Sequence, residues 1–431
     1  MTREPSELSD DAVSGLEPAA GGGLLHRRHL LRGGALGLGG VVAASGAIAA
    51  TLPDDPWMKV PGASFRGYGQ PAPQEAAVQR GVRTSLAPLT VGAGSSVTPL
   101  HQLQGTITPN GLHFERHHNG VPAIDPSQHR LLIHGMVKRP LAFSVESLLR
   151  YPTAGGIWFV ECAGNSAANT RPQPVQMPAG GLHGLVSCAE WTGISLAVLL
   201  DEAGVEDGAS WILAEGADAA GMSRSIPLEK AMADTIVALW QNGERVRPEQ
   251  GYPMRLVVPG FQGNMNVKWV RRIKVVDGPV HTKDETSKYT QLMPDGKSRQ
   301  FTLPLGVKSV ITHPSGGAKM HGPGLYEVSG LAWSGSGRIR SVEVSVDGGK
   351  SWAEAALQEP VLSKALSRFR IAWRYEGGPA TLQSRAIDET GERQPGRDEW
   401  RAQFSVGNPY HFNAIQSWGV AEDGSIANVY A

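Results

Sequence analysis

The run Trp158-Phe159-Val160-Glu161-Cys162-Ala163-Gly164-Asn165-Ser166 ends an apolar stretch on a charge and a thiol, then breaks at once into small and amide residues. A buried strand that stops on a cysteine before a Gly-Asn turn presents a soft sulfur ligand from a stiff edge. Thiolate sulfur suits soft or redox-active metals. A core cysteine satisfies the same pattern, because free Cys is among the most buried residue types. The second cysteine, Cys188, lies in Leu185-Val186-Ser187-Cys188-Ala189 and reads as core.

Other segments carry chemistry-bearing side chains into polar loops. Residues 113–122 hold three histidines, Glu115 and Arg116 ahead of Pro122. His117 and His118 are adjacent, so on a strand they point apart and cannot chelate one metal as an i, i+4 helical pair could. An anion or cofactor contact suits them better. Glu215-Gly216-Ala217-Asp218, the loop with Gln250 and Gly251, and the Gly/Asn turn at residues 261–269 also return polar groups to strand ends. The chain has no CxxCH haem-attachment motif, no HExxH, no Walker A loop, no EF-hand loop and no Cys-rich iron–sulfur spacing.

The elements that must position these groups follow from patterning. The 431 residues suffice for more than one domain, and 41% hydrophobic with 19% charged residues describes an ordinary globular chain. A formal net charge of +0 argues against a nucleic-acid partner, and 54 Gly with 30 Pro favours strands joined by turns. Residues 1–50 contain Arg27-Arg28 before a mild Gly/Ala/Leu run ending in small residues, which reads as a twin-arginine export signal and a periplasmic destination. That run is too poor in Leu, Ile and Phe for a membrane span. Residues 51–100 read as an extended arm anchored by Trp57, Phe65 and Tyr68. Residues 101–300 read as mixed α+β, with short helices at 145–150, 196–202 and 228–232. Residues 301–431 carry strands about every ten residues and almost no helical pattern, which predicts an immunoglobulin-like β sandwich.

In this order the motifs resemble the sulfite oxidase family of molybdenum enzymes, over about residues 100–420. The resemblance rests on Phe114, Arg116 and His118 before Pro122; Cys162 to Asn165; Glu215 to Asp218; Gly251, Pro253 and Arg255; Val267-Lys268-Trp269; and the lone Tyr289. Within the family the chain is most similar to the molybdenum subunits of Sox-system sulfane dehydrogenases, through residues 215–218, 223–230, 285–290, 294–297 and 410–413. The resemblance implies that Cys162 ligates molybdenum beside a molybdopterin. It implies that Phe114, Glu115, Arg116, His117, His118, Asp218, Gln250, Arg255, Asn266, Val267 and Lys268 hold the pterin, with Arg116 and Tyr289 at the reacting oxygen. His411 aligns with a further family arginine and is expected as a catalytic residue.

The resemblance also shows a departure. Family sulfite oxidases place two arginines directly after Cys-Ala-Gly-Asn, where this chain has Ser166 and Ala167. A small dianion wants a cationic clamp, each charge-assisted contact being worth about 1.5–3 kcal/mol. The expected substrate is therefore sulfane sulfur on a carrier-protein cysteine, with free sulfite as the alternative. A sulfoxide reductase or a cofactor-free binding subunit are remoter readings. A separate c-type cytochrome is the expected electron acceptor, and a homodimer or heterotetramer the expected assembly, the sandwich being the family's dimerisation domain.

Overall fold

The computed structural model describes residues 18–26, 56–84, 91–404 and 410–431, so the predicted twin-arginine pair and the run after it lie outside the described residues. Two sheets build the first large unit. One has the strand order Ser223–Pro227, Trp211–Gly216, Val270–Val276, Arg130–Gly135, Leu141–Ser144. All its pairings are antiparallel except that between Val270–Val276 and Arg130–Gly135. The other runs from Glu244–Arg245 through Ile236–Gln241 and Val186–Ser195 to Thr153–Glu161, with Arg255–Val257 also on Ile236–Gln241. Helix Leu196–Ala203 buries Leu196, Leu199, Leu200 and Ala203, a face at i, i+3, i+4 and i+7. Gly204 at φ 72° stops it, as its left-handed conformation requires.

The second unit is the predicted sandwich. One sheet contains Lys308–His313, Gly324–Trp333 and Ser367–Tyr375; the other contains Ile339–Ser345, Ala380–Asp388, Ser417–Val420 and Ile426–Val429. Ser367–Tyr375 shows why these segments are strands. Phe369, Ile371, Trp373 and Tyr375 alternate inward, while Arg370, Ala372 and Arg374 alternate with them. One helix, Arg397–Gln403, stands in this otherwise β region and buries only Trp400.

Two packing features depart from the expected domain picture. First, the sandwich core is continuous with the Cys162 unit, since Phe159, Leu182, Val186 and Cys188 belong to the same apolar cluster as Trp333, Phe369 and Trp418. Second, Leu24–Leu25 pair with strand Ser367–Tyr375 beyond the reach of Ala356–Leu357 on the same side, and Trp373 Nε1 donates to Gly22 O at 2.7 Å. Leu24 is fully buried, which stabilises the contact by about 1.5–3 kcal/mol.

The arm is only partly as expected. Gly81–Thr84 and Gly94–Val97 join Glu115–His117 in a three-stranded sheet, which ties the arm to the histidine loop. Trp57 and Phe65 do not anchor it: they are 72% and 107% exposed, and Tyr68 is held only through its hydroxyl near Glu244. No apolar strand or helix face packs over their stretch, so the aromatic type alone did not predict burial.

Candidate active site

Strand Thr153–Glu161 is paired along its whole length with Val186–Ser195, so its end is stiff. The loop after it is tied as firmly. Cys162 N donates to Leu185 O at 2.9 Å, Asn165 N donates to Cys162 O at 2.9 Å, and Asn165 Oδ1 accepts from Leu185 N at 3.1 Å. Ser166 turns the chain with φ 67°, a left-handed conformation costly for a side chain other than glycine. Gly263 lets the 263–265 turn lie against this loop, since a Cβ there would stand 2.6 Å from Glu161 O. These contacts fix the direction of the Cys162 thiol.

The thiol lines a cavity whose wall collects loops from five parts of the chain. Phe114, Glu115, Arg116, His117, His118, Asp218, Gln250, Arg255, Asn266, Val267, Lys268 and Tyr289 all line it with Cys162. So every residue expected at the pterin is brought together, as are Arg116 and Tyr289. His117 and His118 do point apart: His117 meets Glu115 Oε2 and Lys268 Nζ at 2.8 Å each, while His118 Nε2 lies 3.4 Å from the Tyr289 hydroxyl. His411 is the exception. It is buried outside this wall, where its Nε2 accepts from Gly306 N at 3.2 Å. Gly306 precedes the sandwich strand Lys308–His313, so this contact ties the His411 ring to the start of the sandwich.

Electrostatically the cavity is unfinished. Arg255 is 3% exposed, stacked 4.9 Å from the Trp191 ring, and donates only to oxygens of Gln250, Leu256 and Asn266. Lys268 Nζ bonds the carbonyls of Arg116 and Glu249 and the ring of His117. Neither forms an ion pair among the described residues. Burial lowers Arg255 to about 9 and pulls Lys268 well below the usual lysine range. His113 Nε2 and Asn264 Oδ1 are buried without a partner. Uncompensated buried cations beside unfilled donors and acceptors call for an anionic, hydrogen-bonding ligand. Burial also raises the Cys162 thiol, so its thiolate needs a cation at the sulfur. A phosphorylated pterin carrying a metal meets both demands. Among the described residues no three His, Cys, Asp or Glu side chains converge to hold a metal by themselves.

Comparison with known proteins decides the family. Residues 118–283 match the oxidoreductase molybdopterin-binding domain, and residues 299–418 match the Mo-co oxidoreductase dimerisation domain. The sulfite oxidase of Gallus gallus is 35% identical over 314 residues, covering 67% of this chain and 68% of that protein. This chain belongs to the sulfite oxidase family. Mitochondrial sulfite oxidase of Mus musculus is 30% identical over 73% of this chain and 62% of that protein. NADH nitrate reductase of Solanum lycopersicum is 31% identical over 73% of this chain but only 39% of its own length. The crystal structure of the sulfane dehydrogenase SoxCD from Paracoccus pantotrophus superposes with a TM-score of 0.85 at 43% identity, covering 90% of this chain and 100% of that one. This family member is a molybdopterin-dependent oxidoreductase, with Cys162 at the position of the family's metal-ligating cysteine.

Sequence reasoning missed what stands behind that cysteine. Lys308, from the first sandwich strand, is 1% exposed and its Nζ donates to Glu161 Oε1 at 2.9 Å and Ser166 Oγ at 2.8 Å. Trp333 Nε1 donates to Glu161 Oε2 at 2.8 Å. From Ser166 the bonds run on through His183 Nδ1 at 2.7 Å to Gln416 Oε1 at 3.1 Å. A cation therefore does approach the family's arginine position, but Glu161 neutralises it within the core. Arg224 was missed as well: its guanidinium lies 5.0 Å over the Tyr289 ring, and Glu285 is its ion-pair partner at 3.7 Å. The available signals were a lysine inside the apolar run Val307 to Ile311 and an arginine inside a strand.

Proposed function

We propose that this enzyme oxidises sulfane sulfur carried on a partner protein's cysteine and passes the electrons to a separate c-type cytochrome. The observation that carries the reading is the state of Ser166 and Ala167. Ser166 faces the Lys308–Glu161 pair and Ala167 has no charge, so the loop after Cys162 offers no cationic clamp to a free dianion. Arg116 is the exposed guanidinium at the wall. One charge suits a sulfur species whose position is already fixed by a tether. The similarity to the SoxCD structure supports the same reading.

The molybdenum–pterin group, when bound, supplies two-electron exchange coupled to transfer of an oxygen atom derived from water. The chain's residues do the rest. Arg255 and Lys268 would bind the anionic end of that group, and Gln250 positions Arg255, its backbone O accepting from Arg255 Nη1 at 2.9 Å while its Nε2 donates to Phe114 O at 2.8 Å. Arg116 orients the anionic sulfur. Tyr289, raised by burial, keeps its phenolic proton and donates to oxygen. His118, lowered to about 4 by burial, is neutral at physiological pH, and its Nε2, 3.4 Å from the Tyr289 hydroxyl, helps to position that hydroxyl. Each oxygen gained from water leaves two protons and two electrons to be carried away.

The leader supports a periplasmic enzyme exported with its cofactor in place, and the sandwich supports a homodimer or a heterotetramer with the cytochrome. Among the described residues no helix is long and apolar enough to cross a membrane. The test is turnover of the exported holoenzyme with a c-type cytochrome acceptor, on free sulfite and on a protein-bound persulfide. Oxidation of the bound persulfide at a rate well above that of sulfite is the expected result. Fast turnover of free sulfite with none of the persulfide would replace this reading with a sulfite dehydrogenase.

A further inference from the structure

Beyond Arg116 and His118 the Cys162 cavity continues into a second cleft that shares both residues. This cleft has a volume of ≈ 640 Å³ against ≈ 90 Å³ for the cavity, far more than a sulfur oxyanion needs. Its lining includes the small residues Ala93, Gly94, Ser95, Ala219 and Ala220. Small lining residues leave room for a backbone rather than for a bulky side chain. Its charges are one-sided: Arg83, Arg116, Lys283 and Lys288 stand against a single carboxylate, Asp284, which is 8% exposed. In a chain of formal net charge +0 that is a local concentration of cations, and a cleft with low-dielectric walls focuses such a field.

Arg83 extends the feature. It also lines a third cleft over Ser166, Ala167 and Ala168, where Arg171 adds another cation. Arg83 therefore borders both clefts, one reaching Cys162 through Arg116 and the other lined by the loop that follows Cys162. Its guanidinium is braced by the Gly181 carbonyl and by Met177 Sδ at 3.8 Å, so it has a fixed place beside both.

We propose that these adjoining clefts are the docking groove for an extended, acidic segment of the protein that presents the sulfur to Arg116. This rests on the reading of the substrate as carrier-borne. An extended chain matches the volume and the small lining residues, and acidic side chains complement the cations of the rim. Charge complementarity of this kind sets encounter rate and partner choice. It also explains how one guanidinium at the reacting centre suffices, because binding energy from the segment is collected outside it.

The test uses the molybdenum-loaded protein and two short synthetic peptides ending in a cysteine persulfide, one rich in Asp and Glu, the other with Asn and Gln in their place. Wild type is compared with Arg83→Glu/Lys283→Glu, which reverses one charge on the arm and one on the 283–286 helix, both exposed. The expected result is a KM for the acidic peptide raised about tenfold or more in the variant, with kcat nearly unchanged, molybdenum content unchanged and the neutral peptide unaffected. The same KM for both peptides in both proteins would overturn the groove. If wild type oxidises sulfite but no persulfide peptide, the substrate reading falls separately. Fluorescence anisotropy of the sulfur-free acidic peptide then decides the groove: binding lost in the variant supports it, and equal binding overturns it.

Discussion

Both sides of the Cys162 loop carry buried polar groups, and they are oppositely finished. Toward the cavity, Arg255 and Lys268 lack ion-pair partners among the described residues, as His113 Nε2 and Asn264 Oδ1 lack hydrogen bonds. Away from it, Glu161, Lys308, Trp333, Asn165, Ser166, His183 and Gln416 satisfy one another. Burial alone therefore does not mark the functional face. An incomplete set of buried polar groups marks where a ligand belongs, and a complete set marks structure.

That contrast can be broken or sharpened by substitution. The largest effect is expected from Cys162→Ser, which should reduce turnover to background while circular dichroism stays native; retained turnover would remove the ligand assignment. Next, Lys308→Met leaves Glu161 charged and without a counter-ion in the core and should cost about 3–5 kcal/mol in urea unfolding. Glu161→Gln/Lys308→Met together should recover much of that loss. If the single and double variants are equally stable, the network is not a paired one.

Acid should expose the histidines. Burial holds His113 and His183 at about 3 and His411 at about 4, so the folded chain keeps them neutral. The unfolded chain protonates them near 6.5, so their contribution is intact above that pH and is lost as pH falls toward the folded values. The slope is about 1.4 kcal/mol per pH unit for each histidine, and His183→Gln should flatten it by one such share. The smallest stability effect is expected from Arg255→Met. In cofactor-free protein it should be neutral or slightly stabilising, because it removes an unpaired buried cation, yet molybdopterin retention should be lost. A destabilisation of several kcal/mol in that protein would show that Arg255 belongs to the structural side.

How much of this was legible depends on the range of the interactions. The cavity wall was, because Phe114, Cys162, Asp218, Arg255 and Lys268 each sit in a short motif whose local turn sets the side-chain direction. Ser367–Tyr375 was, because alternation is a local property. Lys308 was not: its partner Glu161 is 147 positions away, and no local pattern encodes that pairing. The placement of His411 was not legible, because an aligned position says nothing of the 306 turn that its ring bonds. Helix Arg397–Gln403 was invisible for want of periodicity, with Trp400 its one buried residue. Trp57 and Phe65 failed in the other direction, as apolar types with nothing packed on them.

The strand at Leu24–Leu25 bears on how this chain is made. The Trp373–Gly22 bond spans 351 positions, so a segment that leaves the ribosome among the first must wait for nearly the last strands before it has a seat. Once seated it covers a sheet edge that would otherwise be open to pairing with another chain. While the backbone between is intact, the segment is held at the high effective concentration of a tether. A cut anywhere between residue 26 and residue 56 removes that tether and leaves two leucines and a few hydrogen bonds to hold it. Cut and intact chains would then differ in aggregation tendency through this edge, with the other described strands of the sandwich unchanged.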